Sequence, residues 1–141
     1  MADAPLLKIE VVAPDKSPLE SEGTAVVIPG RAGDFGVLPG HTELLSLLRV
    51  GEMMIESPGA TIHYAVNGGY AEVRDDKVLV LTQTIEQAEE IDVERAERAK
   101  ERAETRLAEP SQEGINVWRA ELALQRALIR LQVASKHRGM Y

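Results

Sequence analysis

The stretch Ile91-Asp92-Val93-Glu94-Arg95-Ala96-Glu97-Arg98-Ala99-Lys100 decides the architecture, because one backbone period ends there and another begins. Asp92 has the chemistry of an N-cap, since its carboxylate can accept the orphan N–H groups of the following turn. From Val93 to Leu107 there is no Gly or Pro, and nearly every residue is a good helix former. Pro110, Ser111 and Gly114 then interrupt the run and predict a short loop. A second helix is predicted from about Val117 to Lys136, with Asn116 as its cap and Gly139 just past its end. Together these segments predict an antiparallel helical hairpin over residues 91–141.

Upstream, over residues 1–90, the period is two and the punctuation frequent. Leu7, Ile9 and Val11 alternate with Lys8, Glu10 and Val12, and similar strand-like runs follow at Ala25–Ile28, Leu44–Leu48, Met53–Glu56, Thr61–Val66, Tyr70–Arg74 and Lys77–Thr82. Pro29-Gly30, Pro39-Gly40, Pro58-Gly59, Asn67-Gly68-Gly69 and Asp75-Asp76 separate them. No segment has the length and period of a crossover helix, so half-buried antiparallel strands in a sandwich or barrel are expected. The fold class is all-β plus α.

Composition narrows the function. The chain has 141 residues, 44% of them apolar and 28% charged, which is the balance of a globular protein. With no cysteine there is no disulfide, thiolate nucleophile or Cys-based metal site. His41, His63 and His137 lack helical metal-ligand spacing, no Ser-His-Asp set can be argued, and Gly30-x-x-Gly33 lacks the P-loop lysine. Neither a catalytic residue nor a metal ligand is therefore expected. The longest uncharged run, Ala60 to Ala71, is too short and polar to span a bilayer, and Met1–Lys8 resembles neither a signal nor a transit peptide. Residues 1–91 carry 6 basic and 15 acidic residues, against 10 and 8 in residues 92–141, so the two parts face different partners. The acidic part would be repelled by phosphate, and no nucleic-acid role is expected.

The helical faces are informative. On the first helix Val93, Ala96, Ala99, Ala103 and Leu107 form a narrow small-residue seam between a stripe of Arg95, Arg98, Arg102 and Arg106 and a stripe of glutamates. On the second, Val117, Ala120, Leu124, Ala127, Leu128, Leu131 and Ala134 fill one apolar arc. Trp118, Leu122, Ile129 and Val133 fill another, roughly 170° away at the helical period. One arc can pack on the first helix, and the other calls for the β-domain or a different protein. Antiparallel pairing also brings the two arginine stripes to one face, with Arg95 opposite Arg130 and Arg98 opposite Arg126, an arrangement suited to an anion unless solvent screens it.

These features carry a family resemblance. Gly33-Asp34-Phe35-Gly36-Val37-Leu38-Pro39-Gly40-His41, followed by Leu44-Leu45-Ser46-Leu47-Leu48 and Gly51, is similar to the loop signature of the epsilon-subunit family of the rotary F-type ATP synthase. Asn67-Gly68-Gly69-Tyr70 and Ile91-Asp92-Val93-Glu94-Arg95-Ala96 continue the match, and the resemblance covers the whole length. It implies an N-terminal β-sandwich of ten strands and a regulatory C-terminal two-helix hairpin, in a non-catalytic central-stalk subunit that couples proton translocation to ATP synthesis. The implied partners are the gamma subunit, the ring of c subunits and the alpha and beta subunits of the catalytic head. The implied place is peripheral, on the cytoplasmic side of the bacterial inner membrane, without bilayer insertion.

At residue level the resemblance implies that Gly33, Asp34, Phe35 and Gly36 form a turn facing the c ring, with Asp34 pairing a basic loop residue, and that His41 lies toward gamma. It implies that Arg119, Arg126 and Arg130 meet acidic segments of beta when the hairpin extends and blocks ATP hydrolysis. No cofactor is required; ATP is implied as a regulatory ligand of the folded hairpin at Glu86, Asp92, Arg95, Arg102, Arg126 and Arg130. Two alternatives stay open: a structural stalk subunit with a permanently folded hairpin, and a nucleotide-sensing binding module.

Overall fold

The computed structural model describes residues 5–137, apart from the side chain of His137. Gly139, predicted just beyond the second helix, lies outside the described residues. The chain divides into two compact units between Glu86 and Gln87.

The first unit is a β-sandwich built from one continuous, folded-over sheet. Its strands are β1 (Leu7–Val12), β2 (Leu19–Gly23), β3 (Ala25–Gly30), β4 (Gly33–Val37), β5 (Leu44–Ser57), β6 (Ala60–Arg74), β7 (Lys77–Leu81) and β8 (Ile85–Gln87), which ends across the boundary. They are hydrogen-bonded in the order β2-β1-β7-β6-β5-β3-β4, with β8 on β6. Along that path the neighbours are antiparallel except β1 and β7, which pair in parallel.

Among the described residues eight strands stand where ten are expected, because two predicted pairs are fused. The runs Leu44–Leu48 and Met53–Glu56 are parts of β5, and Thr61–Val66 and Tyr70–Arg74 are parts of β6. The β5–β6 ladder keeps its register from Leu44↔Val73 to Ser57↔Ala60. The side-chain phase nevertheless reverses midway. Leu48 faces the core in the first half of β5 and Met53 and Ile55 in the second, while Tyr64 and Val66 give way to Ala71 and Val73 in β6. Since successive side chains alternate faces, this reversal turns the long ribbon so that it serves both layers. Gly68 and Gly69, at φ +69° and +102°, make the turn in β6, and a Cβ on Gly69 would lie 1.8 Å from the Leu81 carbonyl oxygen. Asn67-Gly68-Gly69 is thus a bend within a strand rather than a break between strands.

Two further expectations are corrected. Pro29-Gly30 closes β3 instead of forming a turn, and the Gly33–Gly36 segment is strand β4, paired from Gly30↔Gly33 to Val26↔Val37. The reversal itself falls on Arg31 and Ala32. Strand form wins because Val37 is buried and Phe35 packs against the core, anchoring alternate residues of a glycine-containing segment.

The second unit holds a 3-10 turn at Ala88–Glu90, helix α1 (Val93–Ala108) and helix α2 (Val117–His137). Asp92 Oδ1 accepts the Arg95 N–H at 3.1 Å and Asn116 Oδ1 accepts the Arg119 N–H at 3.1 Å, so both predicted caps are formed. The helices meet along buried alanines: Ala96 and Ala103 on α1, and Ala120, Ala127 and Ala134 on α2.

Candidate partner-binding surfaces

On the sandwich, the β3–β4 hairpin tip is held by a guanidinium fork. Arg49, on β5, donates from Nη1 to the Gly30 carbonyl at 2.8 Å and from Nη2 to Asp34 Oδ1 at 2.5 Å. The Arg31 N–H, on the turn, donates to the Leu47 carbonyl at 2.8 Å. A Cβ on Gly30 would meet the Gly33 carbonyl at 2.7 Å, so β3 and β4 run close at the tip, and one on Gly51 would meet Pro29 at 2.5 Å, so β3 also lies close against β5. The Asp34 carboxylate thus already has a basic partner inside the chain. Gly36 differs from these glycines: it is exposed, its φ is negative or extended, and a Cβ there would meet nothing within 4 Å.

His41 closes the turn Leu38-Pro39-Gly40-His41, donating its N–H to the Leu38 carbonyl at 3.1 Å. Gly40 takes φ +88°, which only glycine adopts at little cost, and the His41 ring nitrogen Nδ1 lies 2.6 Å from the Thr42 carbonyl oxygen. Asp76 Oδ1 reaches across from the β6–β7 turn to accept the Gly40 N–H at 2.7 Å.

Beside these segments the sheet exposes an apolar row. Cross-strand register aligns Leu47 with Tyr70, Tyr70 with Leu81, and Leu81 with Val12, spanning four adjacent strands. Leu47 is 56% exposed, Tyr70 43%, and Leu45, on the neighbouring row, 70%. The next row pairs Leu45 with Glu72, Glu72 with Leu79 and Leu79 with Glu10, and a third aligns Arg74, Lys77 and Lys8. An apolar strip is therefore flanked by acidic and then basic groups. Leu45, Leu47 and Tyr70 stand in the family motifs and Asp76 in a turn dipeptide, but the sequence gives none of them, nor Arg49, a place on a surface. The signal for the leucines was present: the run Leu44-Leu45-Ser46-Leu47-Leu48 is apolar on both faces of a strand.

On the hairpin, α2 is covered unevenly. Ala127, Val133 and Ala134 are buried, Leu122 and Ile129 half-buried, and Val117 and Trp118 exposed, the indole at 67%. The predicted second arc therefore divides, because α2 packs against the Ala88–Glu90 turn as well as α1, and only its end beside the start of α1 is enclosed. At the opposite, loop end lies a cleft of about 560 Å³ lined by Arg106, Arg119, Arg126, Asn116 and Leu122 among others, with no carboxylate among the described residues of its wall. Among the described residues none of those three guanidinium groups has a hydrogen bond or ion pair.

The cleft gathers Arg119 and Arg126 and adds Arg106, which the sequence placed only in a stripe. Arg95 and Arg102 are exposed on α1 outside its wall, and Arg130 is half-buried further along α2 with an interaction of its own. Asp92 is engaged as a cap, and Glu86 ends the first unit. Among the described residues no three His, Cys, Asp or Glu side chains are grouped to hold a metal ion, and no helix is long and apolar enough to cross a membrane.

Sandwich and hairpin thus each expose a surface that their own packing leaves uncovered. The chain belongs to the delta/epsilon chain family of ATP synthase: residues 6–88 match the β-sandwich domain of that family and residues 89–135 its long α-helix domain. It is 48% identical over 127 residues to the ATP synthase epsilon chain of Nitratidesulfovibrio vulgaris, covering 90% of this chain and 94% of that one. The Geobacter sulfurreducens epsilon chain is 47% identical over 130 residues, covering 92% and 94%. Among solved structures, a chain of the Euglena gracilis mitochondrial ATP synthase, from its OSCP/F1/c-ring structure, superposes with a TM-score of 0.78 at 27% identity over 94% of this chain and 84% of that one. A Tetrahymena thermophila mitochondrial ATP synthase chain shares the fold, with a TM-score of 0.55 at 11% identity over 93% and 95%.

Proposed function

We propose that the chain is a non-catalytic subunit of the central stalk of a proton-translocating ATP synthase, and that its hairpin restrains ATP hydrolysis by the catalytic head. The sandwich is held by gamma and faces the c ring, placing the chain peripherally on the cytoplasmic side of a bacterial inner membrane. The apolar row through Leu47 and Tyr70 and the hairpin tip at Gly33–Gly36 support that placement, as does the bacterial source of the relatives.

The observation that carries the regulatory reading is the one-ended cover of α2. Trp118 stands exposed beside a cleft with three guanidinium groups and, among the described residues, no carboxylate, a combination that suits an acidic segment with an apolar neighbour, such as one on beta. Release of α2 from α1 is energetically accessible. The fully buried seam is mostly alanine, which buries little area, Val133 contributes about 1.5–3 kcal/mol, and Leu122, Leu124, Ile129 and Leu131 are covered only in part. A partner that supplies a few kcal/mol of differential binding shifts such an equilibrium.

The test is ATP hydrolysis by the assembled head carrying Trp118→Ser or Arg119→Glu, both at exposed positions. Hydrolysis is expected to rise at equal occupancy; no change in either variant rejects the inhibitory contact and leaves a purely structural stalk role.

A second reading, ATP as a regulatory ligand, rests on Arg95, Arg102, Arg126 and Arg130 following one another along the two helices. Glu86 and Asp92 precede them, and the ligand must share Asp92 with its capping bond. Titration of the isolated chain with ATP is expected to saturate and to weaken in Arg126→Ala. Absence of binding at millimolar ATP, or indifference to the substitution, removes this site.

A further inference from the structure

We propose that Asp76 is a positioning residue that selects the conformation of the Leu38–His41 turn from a distant hairpin. The importance of that turn rests on the reading that His41 faces gamma. Arg74 pairs with Lys77, so Asp75 and Asp76 form a two-residue turn between β6 and β7. Both take positive φ, 49° and 59°, as a type I′ turn requires. Glycine would meet that backbone demand with less strain than aspartate. The turn alone therefore gives no reason for a carboxylate at position 76.

The contacts supply that reason. Asp76 Oδ1 accepts the Gly40 N–H at 2.7 Å, and the Asp76 carbonyl accepts the Lys8 N–H at 2.9 Å. The side chain and backbone of one residue thus tie the β4–β5 loop and the start of β1 to the same turn. Gly40 is the third residue of a turn with Pro39 second, φ +88° at Gly40 and the His41 N–H donating to the Leu38 carbonyl, the pattern of type II.

Types I and II differ chiefly by a flip of the central peptide, here the one joining Pro39 to Gly40. Proline at the second position suits both types, and glycine at the third tolerates both. The bond that closes the turn, from the His41 N–H to the Leu38 carbonyl, is also common to both. What distinguishes them is the direction of the Gly40 N–H, and that is the group Asp76 holds. The carboxylate therefore selects type II, and with it the directions of the Gly40 N–H and the Pro39 carbonyl that border His41.

The experiment uses the full chain, amide hydrogen exchange at Gly40, and affinity for a head that contains gamma. In Asp76→Gly the β6–β7 turn persists but the acceptor is lost. Gly40 exchange is expected to quicken by about tenfold, equivalent to ~1.4 kcal/mol, and affinity for the head to fall. Asp76→Asn keeps an acceptor oxygen and the same backbone tolerance, and is expected to restore both properties to within about twofold of the original. Unchanged Gly40 exchange in Asp76→Gly, or no rescue by Asp76→Asn, overturns the proposal. His41→Ala separates the two ideas: it is expected to weaken binding without altering Gly40 exchange. Unchanged binding in His41→Ala overturns the gamma-facing reading of the turn while the clamp stands on the exchange data.

Discussion

A methyl group at Gly69 would lie 1.8 Å from the Leu81 carbonyl oxygen in a backbone already at φ +102°, whereas one at Gly36 would meet nothing within 4 Å. Gly69→Ala is therefore expected to lower unfolding free energy by more than about 2 kcal/mol, while Gly36→Ala stays within about 0.5 kcal/mol, in denaturant titrations of the chain. Equal effects would show that the Gly69 approach is relieved by a shift of β7. The glycine at position 36 has no explanation in the chain's own packing. The Arg49–Asp34 pair is roughly half exposed on both sides, so a double-mutant cycle with Arg49→Gln and Asp34→Asn is expected to give a coupling below about 1 kcal/mol that shrinks with added salt. At this scale the sequence is only partly legible. Asn67-Gly68-Gly69 announces a backbone departure, but the reason for Gly69 lies in a strand some twelve positions on, and only the folded register reveals it. Asp34 likewise reads as a charge awaiting a partner until Arg49 is brought beside it.

The helices are the most legible elements because their signals are local. Asp92 and Asn116 stand where capping chemistry requires them, and Pro110 and Gly114 mark the interruption between the helices. Asp92→Ala is expected to destabilise the start of α1 by about 1 kcal/mol, seen as faster amide exchange in its first turn, and unaltered exchange would show that the cap contributes little. The alanine seam limits how near the helices approach. Ala127, fully buried, cannot accept a larger side chain without displacing α1, so Ala127→Leu is expected to cost about 1–3 kcal/mol in chemical denaturation of the hairpin. A neutral result would mean that the seam has spare volume. Strands β2 and β4 escape the sequence reading for the converse reason. Leu-Glu-Ser-Glu-Gly and Gly-Asp-Phe-Gly-Val lack a strong apolar alternation, and each sits at an end of the strand order, paired with one neighbour along it among the described residues. Their strand form comes from that pairing, which local pattern does not encode.

For the whole molecule, the change of period at Ile91 marks where helix begins, since a period of two and one of 3.6 cannot share an element, whereas the compact units divide a few residues earlier, between Glu86 and Gln87. The path of the ribbon is less legible, because the phase reversals in β5 and β6 look like strand ends in a linear reading. The candidate surfaces are legible only in part: the sequence shows the arginines, but folding selects Arg106, Arg119 and Arg126 for one cleft. The apolar row on the sandwich makes its own prediction. Leu45→Glu combined with Leu47→Glu changes exposed side chains, so the chain is expected to fold normally yet dissociate from the assembled head, and retention at unchanged affinity would exclude this face as an interface. The central claim is that the hairpin restrains the enzyme it rides on. The most direct measurement compares ATP hydrolysis by heads fully occupied by the whole chain with hydrolysis by heads fully occupied by the chain ending at Ile91. The account predicts equal occupancy with several-fold faster hydrolysis for the shortened chain; equal rates would contradict it.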